Sequence, residues 1–202
     1  MPPRKQRTPA LRSRIRAEAM ALLERNGPAG LRARAVAEAA GTSTSAIYEL
    51  FGGKGGLVRS IHEAGFEQLE TELQELTSSN DPADDVRELF RVVRRFARRH
   101  PHLFEVMFSR PFEEFEPAAD DSASARSLFD VVVGRVTRWL DHAESPADAV
   151  DVSRVLISAS RGLISEDAMP VLGSTPVSRD RRWDLTFDAL LAGISRPQLE
   201  GE

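Results

Sequence analysis

The sequence has no cysteine, so disulfide staples and thiolate chemistry are excluded from the start. Aromatic residues make up only 6% of it and include a single tyrosine, Tyr48, which makes that one position worth explaining. No apolar run approaches the ~20 residues that a helical membrane span needs, and no membrane partner is expected. The opening MPPRKQRTPALRSR is basic but has no apolar stretch behind it, so a secretory signal is not expected and a cytoplasmic location is. Histidine is scarce. His100 and His102 are two apart and would point different ways on a helix, while His62 and His142 stand alone, so no metal site is expected. Without a nucleophile motif or a pair of carboxylates set apart from surface acid, the chain shows no catalytic residue, implies no cofactor, and does not read as an enzyme.

What is present is an ordinary folding composition over 202 residues, enough for one large compact domain or two small ones. Its net charge of −4 hides an asymmetry. Residues 1 to 60 carry 11 Lys or Arg against four Asp or Glu, and the remaining 142 residues carry 16 against 27. A basic head on an acidic body points to a polyanionic partner for the head.

Periodicity predicts an all-α chain of nine helices. No alternating apolar runs bounded by turn signals mark strands, and no hairpin dipeptide joins two such runs. In ALRSRIRAEAMALLERNG the residues Leu11, Ile15, Ala19, Leu22 and Leu23 recur at helical spacing until Asn26-Gly27-Pro28 ends the run. LRARAVAEAAG and STSAIYELF give two short helices separated by a turn at Gly41. A long helix follows from about Gly53 to Thr77. SSNDP then breaks the pattern, with Asp81 placed to cap the next helix and Pro82 in its first turn. That next helix, ADDVRELFRVVRRFARRH, puts Val86, Phe90, Val93 and Phe96 inward and its arginines outward. PHLFEVMFSR is short, residues 111–124 read as an acidic, proline-containing loop, and three further helices complete the chain.

GTSTSAIYELFGGKGGL, Gly41 to Leu57, is the stretch that carries chemistry. Glycines around a lysine suit a phosphate. A nucleotide-binding P-loop would need glycine where Tyr48 stands and a hydroxyl where Gly55 stands, after a strand rather than a helix, so it is excluded. A helix-turn-helix fits instead: Gly41 makes the turn and Ser43 caps the second helix. Thr44, Ser45 and Ala46 form its base-facing first turn, Ile47, Leu50 and Phe51 face inward, and Tyr48 and Lys54 reach phosphates. The basic arm Arg4, Lys5 and Arg7 is suited to nonspecific or minor-groove contacts.

AVAEAAGTSTSAIYELFGGKGGLV resembles the DNA-binding domain of the TetR (tetracycline repressor) family of transcriptional regulators. Val36-Ala37, Gly41, Ser43, Tyr48, Phe51, and Lys54 with Leu57 follow that family's pattern in order and spacing over about residues 10 to 60. The resemblance implies a helix-turn-helix DNA-binding domain over 1–52 and a helical effector-binding and dimerisation domain over 53–202. It also implies a homodimer on double-stranded DNA, acting as a repressor of a near-palindromic operator and released by a small-molecule effector. Arg34 occupies a position from which similar proteins reach a base. Three residues depart from the pattern: Arg32 replaces a threonine cap, Leu50 a frequent histidine, and Glu49 sets a carboxylate near phosphates. A helical protein-binding adaptor without specific DNA recognition is the alternative reading.

FARRHPHLFEVMF and RVLISASRGLISEDA also resemble one TetR C-terminal subgroup, with Arg161-Gly162 where His-Gly is expected. The candidate effector residues are Phe104, Met107, Phe108, Phe129, Val133, Ile157 and Arg161, an inward-facing arginine favouring an anionic ligand. The last two long helices, 147–168 and 178–195, carry apolar stripes of Val152, Val155, Leu156 and Leu163, then Trp183, Phe187, Leu190, Leu191 and Ile194. Paired about a twofold axis, they would form the homodimer interface.

Overall fold

The computed structural model describes residues 8–109, 112–113, 115, 123–168 and 175–195; the basic arm expected at Arg4, Lys5 and Arg7 lies outside them. Among the described residues there are nine helices and no strand. They are α1 (Pro9–Gly30), α2 (Ala33–Ala39), α3 (Thr44–Phe51), α4 (Lys54–Gln74), α5 (Pro82–Arg99), α6 (Pro101–Phe108), α7 (Ala123–His142), α8 (Ala149–Ala168) and α9 (Pro176–Ile194).

Local chemistry sets most of the boundaries. Thr8 caps α1 by accepting from the Leu11 N–H, with Pro9 at the first position. Gly27, at φ 65°, interrupts the helical backbone inside α1 where Asn26-Gly27-Pro28 predicts the break. Asp81 caps α5 as expected, its Oδ1 accepting from the N–H groups of Ala83 and Asp84 at 3.0 and 3.1 Å. Acidic Asp84 and Asp85 in the first turn of α5, and Arg98 and Arg99 in the last, complement its dipole.

Packing divides the chain into two compact units. One comprises residues 1–69 with 96–126, the other 70–95 with 127–202. In the first, α1 packs on α2 and on α6, and α2 on α3. Its centre is Ile15, Leu23, Val36, Ile47, Leu57 and Ile61, all at most 1% exposed. The first unit thus contains the short helix α6 as well as the predicted reading head, because α1 packs on both α2 and α6.

In the second unit, α8 packs on α9, and α9 lies against α5 through Phe187 on Phe90, ring centroids 5.1 Å apart. Here one expectation is corrected: the arginines of α5 do not all face outward. Arg94 is buried, with Asp167 at 3.0 Å, Asp180 at 2.9 Å and the Trp183 ring 4.7 Å below its guanidinium. A planar cation is tolerated there because two carboxylates and an aromatic face replace the water it loses. The apolar stripe of α9 is also largely spent within the chain, since Trp183, Phe187 and Leu191 are buried.

Candidate nucleic-acid interface

The turn between α2 and α3 closes on backbone bonds. The Gly41 N–H donates to the Glu38 carbonyl at 3.0 Å and the Thr42 N–H to the Ala37 carbonyl at 2.8 Å, with Gly41 at φ 58°. Ser43 then takes an extended conformation and its hydroxyl accepts from the Ala46 N–H at 3.3 Å, so the predicted cap forms. Arg32 stands at the N-cap of α2 with no side-chain capping bond, as the loss of threonine there implies.

Helix α3 is sharply two-faced. Ile47 and Phe51 are buried against the first unit's core, while Thr44, Ser45, Tyr48 and Glu49 are exposed, Tyr48 by 61%. Ala46 is corrected: expected in the base-facing turn, it is only 4% exposed. One helical step beyond Ser45 carries its methyl to the side occupied by Ile47, so it packs inward and has no methyl to offer a base. Leu50 is half-buried. Arg34 is exposed on α2.

The end of α3 is braced in ways that spacing alone does not reveal. Gly52 closes it at φ 75°. The Tyr48 ring lies along Gly53, where an added Cβ would stand 3.4 Å from Cε1. On Gly56 a Cβ would come within 1.7 Å of the Phe51 carbonyl oxygen, so only glycine lets α4 begin this close to α3. From α1, the Arg12 guanidinium donates to the Leu50 carbonyl and lies 4.5 Å over the Phe51 ring. Arg12 is a positioning residue that sequence reasoning missed, because its partner is 38 residues away. Lys54, at the first position of α4, is half-buried with its Nζ 5.1 Å from the Phe112 ring centroid.

The effector candidates are divided between the two units. Phe104 and Met107 are buried and Phe108 half-buried on α6, with the Phe104 and Phe108 rings 4.5 Å apart. Around them are Phe66, 5.3 Å from Phe108, and His62, whose ring lies 4.9 Å from Phe66 and 5.2 Å from Phe115. Burial holds the His62 imidazole below its ordinary pKa, outweighing its bond to the Met107 backbone and reinforced by nearby Arg59. Phe112 and Phe115 are buried too, so these described residues of the expected loop join the first unit's core. Their three-residue spacing in PFEEF was the available signal.

In the second unit Phe129, Val133 and Ile157 are half-buried, and Arg161 is exposed rather than inward-facing. The buried face of α8 belongs to Val152, Ser153, Leu156 and Ser160, and Arg161 lies about 100° beyond the last of these. Among the described residues no group of three His, Cys, Asp or Glu is placed to hold a metal ion, and no helix is long and apolar enough to cross a membrane.

Comparison with known proteins bears on this arrangement. The profile of the family described as "Bacterial regulatory proteins, tetR family" matches residues 15–61, and that described as "Tetracyclin repressor-like, C-terminal domain" matches residues 86–190. The HTH-type transcriptional repressor KstR of Mycolicibacterium smegmatis is 25% identical over 185 residues, covering 79% of this chain and 89% of that one. KstR of Rhodococcus jostii is 25% identical over 165 residues, covering 69% and 77%. The fold is similar to that of a protein of unknown function from Rhodococcus sp. RHA1, with a TM-score of 0.78, 23% identity, and coverage of 97% of this chain and 100% of that one.

Proposed function

The chain belongs to the tetR family of bacterial regulatory proteins, a class of DNA-binding regulators rather than enzymes, and on that premise we propose a specific mode of action. It is a cytoplasmic repressor that binds a near-palindromic operator as a homodimer and leaves it when a small molecule binds. Residues 1–52 read the DNA, and residues 53–202 bind the effector and the second subunit. The relatives' designation as transcriptional repressors supports repression rather than activation.

The observation that carries the DNA reading is the polar face of α3, capped by Ser43 and flanked by Tyr48 and Lys54. Thr44 and Ser45 meet base edges, Ser43 and Lys54 meet phosphates at two helix N-termini, and Tyr48 meets one from the flank of α3. Arg34 reaches a guanine edge or a phosphate from α2. Ala46 is left out because it is buried. Two such heads on a twofold axis would lie about 34–36 Å apart, or a multiple of that. In that dimer α8 and α9 pair about the twofold axis, which would cover Val155 and Leu185, both exposed in the single chain. The apolar cluster of Phe104, Met107 and Phe108 suits a largely apolar effector.

An operator shift assay on the DNA flanking its own gene tests this. Wild-type protein should bind far more tightly than to random DNA, with affinity falling steeply as salt rises. Tyr48→Phe and Lys54→Ala should each weaken binding, the latter reducing the salt slope by about 1. Wild-type binding no tighter than to random DNA sinks the proposal in favour of a protein-binding adaptor.

A further inference from the structure

A helix leaves its last four carbonyls without a partner of its own and carries partial negative charge at that end. The end of α3 falls, along the chain, between the two side chains for which the proposed function claims phosphates, Tyr48 and Lys54. Negative charge there opposes a polyanion. Helix α1 answers it. The Arg12 guanidinium donates through Nη1 to the Leu50 carbonyl, one of those last four, and lies 4.5 Å over the ring of Phe51.

These two contacts leave much of the group unused. A guanidinium offers a planar fork of N–H donors, no acceptor and a permanent charge. The carbonyl takes one donor and the ring takes a face, and neither cancels the charge. Among the described residues no carboxylate pairs with Arg12, and the residue is exposed. Its Nε and Nη2 together form one edge of the fork, of the kind that takes two oxygens of an oxyanion side by side. Since carbonyl and ring already hold the side chain, little freedom is left to lose when an anion binds. We propose that Arg12 is a further phosphate ligand of the reading head, with Nη1 on the Leu50 carbonyl and the Nε–Nη2 edge on a DNA phosphate at the C-terminal end of α3. The inference rests on the DNA-reading role of α3. One guanidinium thereby sets the helix that reads bases against the backbone that carries them.

The probe is the set of sites that the full-length wild type selects from random-sequence duplex DNA. Binding to it is measured over a series of salt concentrations for the wild type, Arg12→Gln, Arg12→Met and Arg12→Lys. Removing the charge, in Arg12→Gln or Arg12→Met, should lower the slope of log K against log salt by about 1 for each half-site, with the same bases selected. Arg12→Lys retains a point charge and should retain the wild-type slope. Ethylating the phosphates one at a time gives a second reading. One phosphate in each half-site should hinder the wild type when ethylated and be indifferent for the neutral variants. Far-UV circular dichroism checks that each variant is folded, and with two neutral variants a fold defect in one leaves the other to decide. Neutral variants that bind more weakly at the wild-type slope, with the wild-type ethylation pattern, reduce Arg12 to a strut for α3. That result overturns the inference and leaves the regulator standing. A wild type that selects no sequence above random overturns both.

Discussion

The arginines of α5 and those of the reading head illustrate two uses of one residue type. On α5, Arg87 meets Asp188 at 3.0 Å, Arg91 meets Asp184 at 3.4 Å, and Arg94 meets both Asp167 and Asp180. These cations are matched by acid from α8 and α9. In the head, Arg32 and Arg34 stand exposed on a segment where basic residues outnumber acidic ones by 11 to four. A row of arginines is therefore not in itself a nucleic-acid surface. What separates the two cases is whether the chain supplies its own carboxylates, and only an arginine left facing solvent can release counterions from DNA.

The comparison breaks most visibly at Arg94. Arg94→Ala leaves Asp167 and Asp180 without their guanidinium and should destabilise the protein by about 3–5 kcal/mol in urea unfolding. Binding of DNA per folded molecule should be unchanged. Arg34→Ala should do the reverse, weakening operator binding by about 1–3 kcal/mol if it reads a guanine, with unfolding unaffected. The same sorting extends to the carboxylates. Burial pushes the Asp85 carboxyl upward, but hydrogen bonds from Ser79 and the Arg138 guanidinium outweigh it and hold the pKa below its ordinary value. Its folded pKa being depressed, its contribution is complete above the unfolded value of 3.8 and is lost as pH falls through the folded one. Acid unfolding of wild type should show this loss, and Asp85→Asn should be destabilised at neutral pH by about 1–3 kcal/mol with a flatter acid limb. Arg91→Ala should have the smallest effect, about 0.2–1 kcal/mol, because its pair with Asp184 is solvated on both sides. A large loss at Arg91 and a small one at Arg94 would reverse the distinction.

Much of the reading head was legible because its determinants lie within one helical turn of one another. The Gly41 turn, the Ser43 cap, the inward Ile47 and Phe51 and the outward Tyr48 all follow from spacing. Ala46 departs from the spacing because a small side chain is compatible with either face, and only packing decides between them. Arg94 departs from local pattern for the opposite reason: a strongly polar residue is expected to seek water, and carboxylates far along the chain take water's place. Phe112 and Phe115 lay in a stretch whose acid and proline suggested a loop, yet their rings pack on Lys54 and close to His62.

By itself, then, the sequence determined an all-α chain, the break at Gly27, the turn at Gly41, the caps at Ser43 and Asp81 and the polar face of α3, since helix periods, caps and glycine turns depend on residues three or four apart. The tertiary structure alone decided which charges are spent and which are presented. Asp167, which binds Arg94, and Asp188, which binds Arg87, lie 73 and 101 residues further on, and the carbonyl that holds Arg12 lies 38 further on. Local pattern contains no information about such partners, because the distance between them is set by how the helices pack.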